Sequence, residues 1–198
     1  MTITKPDQEK KDLVILDFDG TLFYNPESDF GFYIPINRVL DAYTFFSEFI
    51  FQTSKEILED FEYILITGRN EAQEGVITHL LEVKGYRIDQ SYFNQGKRTE
   101  NIDEKTFMLK YWNGKIKLIN EIKSSNRYNS IIIIEDDYVL CSALKKLGFT
   151  VFQAQITKNN SNQALEVKFS TPQTTSMTEL DTILNTRKKQ NNSIMETA

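Results

Sequence analysis

Three short apolar runs constrain this chain more than any other feature. Leu13-Val14-Ile15-Leu16 ends in Asp17, Tyr63-Ile64-Leu65-Ile66 ends in Thr67-Gly68, and Ile131-Ile132-Ile133-Ile134 ends in Glu135-Asp136-Asp137. A fourth run covers Thr150 to Ala154. Unbroken runs of this length suit strands buried on both faces, the environment of a central parallel sheet. The segments between them carry helical spacing. Pro35 to Asp60 opens on proline and repeats apolar residues at Val39, Leu40, Tyr43, Phe46 and Ile50; Glu71 to Lys84, Lys115 to Ser125 and Val139 to Leu147 complete the set, the last stopped by Gly148. Strand alternating with helix predicts a three-layer α/β/α sandwich around a mainly parallel sheet with right-handed crossovers.

The predicted core spans 12–156. Beyond it, 157–163 reads as a polar loop, Ala164 to Phe169 as an edge strand and Thr178 to Arg187 as a short helix, so that 157–187 forms an extension on or near the core. The polar residues 188–198 read as a disordered tail. A chain of 198 residues buries a core without disulfides. One cysteine and one histidine exclude a disulfide framework and a histidine-rich zinc site. No apolar run approaches the roughly 20 residues of a membrane span. The charged stretch Met1 to Asp12 does not read as a signal peptide, so the expected location is the cytoplasm. A net charge of −5 and a pI near 5.1 argue against a protein whose main task is gripping phosphate backbones.

In a parallel sheet the carboxyl ends of the strands share one edge, where ligands bind. Asp17, Asp19, Thr67, Glu135 and Asp136 are therefore expected to converge. Carboxylates gathered at one point raise one another's proton affinity unless a cation joins them, and a hard divalent ion such as Mg²⁺ is the natural partner for oxygen ligands. In DFDGTLF, residues 17 to 23, Asp17 lies at the strand end and Gly20 permits a sharp turn. One of the two aspartates has the chemistry to attack phosphorus, and the other to protonate a leaving oxygen and then activate water. A lone D-x-D in a loop is most often a solvated turn. Directly after a buried strand, and followed by GTLF, it points to function.

LVILDFDGTLF resembles the first motif of the haloacid dehalogenase superfamily of phosphohydrolases. ILITGR, ending in Arg69, resembles the second, and IIIIEDD the fourth. The resemblance covers about residues 12 to 155. It implies a Rossmann-like fold, an aspartyl-phosphate mechanism and Mg²⁺ held by Asp17, Asp19, Asp136 and Glu135. It also implies that Thr67 and Gly68 bind phosphate, and that a lysine neutralises nucleophile and phosphate. Lys110, Lys115 and Lys117 are the candidates; Lys110 is favoured because Thr106 to Lys110 resembles a T-x-x-F-K pattern of some members. All three could instead be exposed charges around an Asn113-Gly114 turn. Asp137 is expected to cap the next helix. Arg69 is expected either to orient the phosphate loop or to form a salt bridge on its own helix, and His79 and Cys141 to be packing residues.

Members of this superfamily often carry a cap domain between the first two motifs or between the second motif and the lysine. Residues 24–62 and 70–109 leave no room for one, so the site is expected to be open to a phosphate displayed on a macromolecule. Tyr24, Phe30, Phe32 and Tyr33 follow the first motif and either flank an aryl ring or pin their loop to the core. The resemblance extends to two groups: phosphotyrosine phosphatases that intracellular bacteria deliver into host cells, and polynucleotide 3′-phosphatases of nucleic-acid repair. The acidic balance favours phosphotyrosine protein over a nucleic-acid end. A third reading, a binding module that keeps the fold without catalysis, would be marked by a missing acidic residue, and none is missing.

Overall fold

The computed structural model describes residues 10–23, 61–93, 103–158, 165–170 and 174–176. Seven strands form one sheet: β1 Lys11–Leu16, β2 Phe61–Ile66, β3 Gln90–Tyr92, β4 Tyr128–Glu135, β5 Thr150–Lys158, β6 Leu165–Ser170 and β7 Thr174–Ser176. Their spatial order is β3-β2-β1-β4-β5-β6-β7. The first five run parallel, and β6 and β7 join antiparallel. The helices are α1 Glu74–Val83, entered through a 3-10 turn at Glu71–Gln73, α2 Glu104–Ser124 and α3 Tyr138–Lys146.

Residue alternation along the strands divides the core into two apolar layers. Val14, Leu16, Leu65, Ile132, Ile134 and Phe152 pack with Ile77, Leu80 and Leu81 of α1. Leu13, Ile15, Ile64, Ile66, Ile133 and Val151 pack with Ile119 and Ile122 of α2 and Leu140, Cys141 and Leu144 of α3. Helices thus cover both faces, which is why the central runs are apolar at every position rather than every second one. The molecule is an α/β protein with a five-stranded parallel centre.

Helix ends follow local chemistry. Asp103 and Asp137 accept the amide protons of Thr106 and Leu140, each at 3.0 Å, and so start α2 and α3. Gly148, at φ +82°, ends α3: its N–H bonds the Lys145 carbonyl and the Phe149 N–H bonds the Leu144 carbonyl. Phe149 and Leu144 then share the same apolar layer.

Several expectations need correction. Helix α2 begins at Glu104, not near Lys115, and Asn113-Gly114 lies inside it. The Asp103 cap and the inward stripe of half-buried Trp112 and buried Ile119 and Ile122 outweigh the turn preference of that dipeptide. Strand β5 continues to Lys158, so Thr157 and Lys158 belong to a strand and pair with Glu166 and Leu165. Strand β6 is not the edge; β7 lies outside it. The expected helices at 35–60 and 178–187, the aromatic loop after the first motif and the tail lie outside the described residues.

The chain leaves β1 for β2 and β3 on one side, then returns to β4 and β5 on the other. The order reverses between β1 and β4, and the crevice at the carboxyl ends of such neighbouring strands is where open parallel sheets bind ligands.

Candidate functional site

Strands β1 and β4 pair with Leu16 opposite Ile134, and the ladder runs one step further through Asp17 N–H to the Ile134 carbonyl at 2.9 Å. Asp17 and Glu135 are therefore neighbours at the point of reversal. One more step of alternation turns both toward the layer of Ile15 and Ile133, the layer that α2 covers. From α2 comes Lys115. Its Nζ donates to Asp17 Oδ1 at 2.6 Å and to Glu135 Oε2 at 2.8 Å, and the side chain is only 1% exposed. Below the ammonium lies the Tyr111 ring, one turn back on the same helix, 4.9 Å from Nζ.

Asp136 completes the group. One ligand oxygen each from Asp17, Glu135 and Asp136 can be chosen within 4.8 Å of one another. Gly20 makes this approach possible: a Cβ there would lie 2.1 Å from Asp136 Oδ2, and its φ of +75° favours glycine. The first and third acidic segments are thus fitted to each other. Around them, the Asp136 carbonyl accepts from Gln153 Nε2 at 3.1 Å, and the Asp137 carboxylate caps α3 while accepting from Trp112 Nε1 at 2.7 Å.

Three carboxylates against one ammonium leave two excess negative charges in a buried place. Burial and the Glu135 carboxylate push the Asp17 carboxyl up to about 8, with Lys115 pulling the other way. Burial, then Asp17 and Glu135, push Asp136 up to about 9. Asp17 and Glu135 hold the Lys115 ammonium well above its ordinary value despite its burial. Either two protons or one divalent ion cancels the excess. The three carboxylates are an all-oxygen donor set of the kind that could hold a hard divalent ion.

The expected residues do not all meet. Asp17, Glu135 and Asp136 do. The Asp19 carboxylate is not one of the three grouped carboxylates: Arg69 grips it, with Nε at 3.0 and 2.9 Å from its two oxygens and Nη2 at 2.5 Å from Oδ1. Thr67 is fully buried at the end of β2, its hydroxyl accepting from Arg69 N–H at 3.1 Å, and Gly68 is exposed beside it. Lys110 is exposed, and the lysine that meets Asp17 and Glu135 is Lys115. Five residues separate the two, about 140° around a helix of 3.6 residues per turn, so they cannot share a face. Lys117 is exposed and pairs at 3.9 Å with Glu121.

Asp137 caps α3 as expected. Cys141 is buried, donates its thiol to the Glu135 carbonyl at 3.4 Å, and is pushed by burial up to about 12. His79 is exposed on α1. Sequence reading gave no role to Tyr111 and did not foresee the Arg69–Asp19 pair. Extending the stripe of Ile122, Ile119 and Trp112 back along one helix would have marked Lys115 as the charged residue on a buried face.

Comparison with descriptions of known protein families, with curated proteins and with solved structures gives no match. Among the described residues no helix is long and apolar enough to cross a membrane.

Proposed function

We propose that this chain is a Mg²⁺-dependent phosphomonoester hydrolase of the haloacid dehalogenase type, with Asp17 as the nucleophile. The observation that carries the reading is the buried Lys115 ammonium bridging Asp17 and Glu135 beside Asp136, at the reversal point of a parallel sheet. Apolar side chains of similar size in place of buried ion pairs are often as stable or more so, so stability alone does not account for the cluster.

An Asp17 oxygen attacks phosphorus and forms the acyl-phosphate bond as the bond to the leaving oxygen breaks. Asp19 gives that oxygen its proton. Asp19 next takes a proton from a water whose oxygen attacks phosphorus; inorganic phosphate leaves and the Asp17 carboxylate returns. Lys115 offsets negative charge on nucleophile and phosphoryl group throughout, and the Thr67 hydroxyl and Gly68 amide are assigned to phosphoryl oxygens. A bound divalent ion supplies charge neutralisation, which keeps Asp17 ionised at neutral pH and screens the phosphate from the carboxylates. Asp17, Glu135 and Asp136 would hold it.

The proposed substrate is phosphotyrosine on protein. The aromatic residues that follow the first motif and the acidic balance of the chain support this choice. The test is hydrolysis of a phosphotyrosine peptide and of a 3′-phosphorylated oligonucleotide, each in Mg²⁺ and in chelator. Higher kcat/KM on the peptide is expected. A preference for the oligonucleotide that fades steeply as salt rises would move the chain to nucleic-acid end repair. Unchanged turnover in chelator would refute the Mg²⁺ dependence.

A further inference from the structure

We infer that Arg69 is the positioning residue for Asp19: it holds the acid–base carboxylate beside the cation group and outside it, aimed for proton transfer. The inference rests on the hydrolase reading above and adds a residue to it.

Arg69 follows β2 and Asp19 follows β1, 50 residues apart in sequence. Their contact is a fork closed on both carboxylate oxygens, the geometry that fixes orientation as well as distance. The two ends of the pair differ in surroundings. The Arg69 side chain is 9% exposed and the Asp19 side chain 45%. The guanidinium lies 5.5 Å from the Phe23 ring centroid, and that ring stacks on Phe18 at 5.1 Å. Backbone contacts tie the same residues together: Asp19 and Phe23 form a bridge, Gly20 N–H bonds the Phe23 carbonyl at 2.8 Å, and Arg69 N–H bonds the Thr67 hydroxyl. A fixed, buried cation thus carries a carboxylate that remains open to solvent and substrate.

Asp19 is close enough to add to the repulsion on Asp17. The fork keeps the Asp19 carboxylate paired with Arg69 rather than with the grouped carboxylates, so proton carrier and cation group stay on separate side chains. Arg69 keeps the two roles apart.

The test is the leaving-group dependence of kcat/KM, measured with dinitrophenyl phosphate and phenylethyl phosphate in Mg²⁺. The variants are Arg69→Ala, Arg69→Lys, Asp19→Asn and the double variant Asp19→Asn/Arg69→Ala. A dinitrophenolate departs with little protonation and an alkoxide does not. For Arg69→Ala, kcat/KM on the phenylethyl ester should fall about 10²-fold while kcat/KM on the dinitrophenyl ester stays within about threefold, because kcat/KM reports phosphoenzyme formation and not the later water attack that both esters share. Arg69→Lys keeps charge without the fork and should recover part of the loss. The double variant should lose no more than Asp19→Asn alone, because both changes break one unit.

Equal losses of kcat/KM on the two esters in Arg69→Ala and Arg69→Lys overturn the inference, as does a raised KM with kcat kept, which marks a direct phosphate ligand. Either result leaves the hydrolase reading standing. No turnover of dinitrophenyl phosphate by the wild-type chain overturns both.

Discussion

The two ends of the parallel sheet handle charge in opposite ways. At the amino ends, Glu62 accepts from the Tyr128 hydroxyl at 2.8 Å and lies 3.6 Å from Arg127, while Lys10 bonds Asn126 at 3.0 Å. These groups are exposed or half-exposed, and water shares the work of solvating them; Asp12, a buried acid at this end, accepts from the Ser130 hydroxyl at 2.6 Å. At the carboxyl ends, Asp17, Glu135 and Lys115 are almost wholly buried, and acids outnumber bases. Solvated pairs at a sheet end tie loops together at little energetic consequence. A buried, unbalanced group has a standing requirement for a further positive charge, and such a requirement marks a site.

Four experiments break or sharpen the contrast. Asp17→Asn keeps the size of the side chain and removes the attacking charge, so hydrolysis should fall by roughly 10⁴-fold or more; residual turnover within tenfold of wild type, read with an aryl phosphate, breaks the assignment.

Lys115→Met keeps the buried stem and removes the ammonium. The folded chain then holds uncompensated carboxylates, and denaturant unfolding in chelator should show a loss of about 3–5 kcal/mol. Lys110→Met and Lys117→Met, at exposed positions of the same helix, should stay within about 0.5 kcal/mol and keep full activity. A large effect at Lys110 with none at Lys115 would reverse the lysine assignment.

The third concerns pH. The folded Asp17 and Asp136 carboxyls sit at about 8 and about 9, above their ordinary 3.8. Between those limits the folded chain binds more protons than the unfolded one. The stability these groups contribute is therefore full below the ordinary value, falls steadily above it and is gone once pH has risen through 8 and 9. Thermal melts in chelator should decline across that window. Saturating Mg²⁺ should restore stability increasingly toward high pH, by about 2.7 kcal/mol at a hundredfold excess over Kd. A flat profile in chelator contradicts the charge imbalance.

The smallest effect belongs to the amino ends. Glu62→Gln and Arg127→Ala should each shift stability by less than about 1 kcal/mol, less still in high salt, with activity unchanged. A strong loss of activity would mean that the two ends are not separate in function.

What sequence could and could not expose follows the same division. Asp17, Glu135 and Asp136 were legible because each follows a run apolar at every position, and the parallel sheet then brings strand ends together without further information. Lys115 was obscured by Asn113-Gly114, whose local turn preference is overridden by a long helix capped at Asp103 and buried along Trp112, Ile119 and Ile122. The Arg69–Asp19 fork depends on how two loops fold against Phe23, which no periodicity records. Strand β7, three polar residues, carries no apolar signal; its pairing with β6 is what makes it a strand.

The central claim is that the carboxyl-end group is completed by one divalent ion. Calorimetric titration of the chelated protein with Mg²⁺ at pH 7, repeated in buffers of different ionisation enthalpy, tests it most directly. Binding of one ion per chain should release protons, since the ion replaces those on Asp17 and Asp136, and Asp136→Ala should bind far more weakly while remaining folded. No binding at millimolar Mg²⁺, or equal binding by Asp136→Ala, would contradict the account.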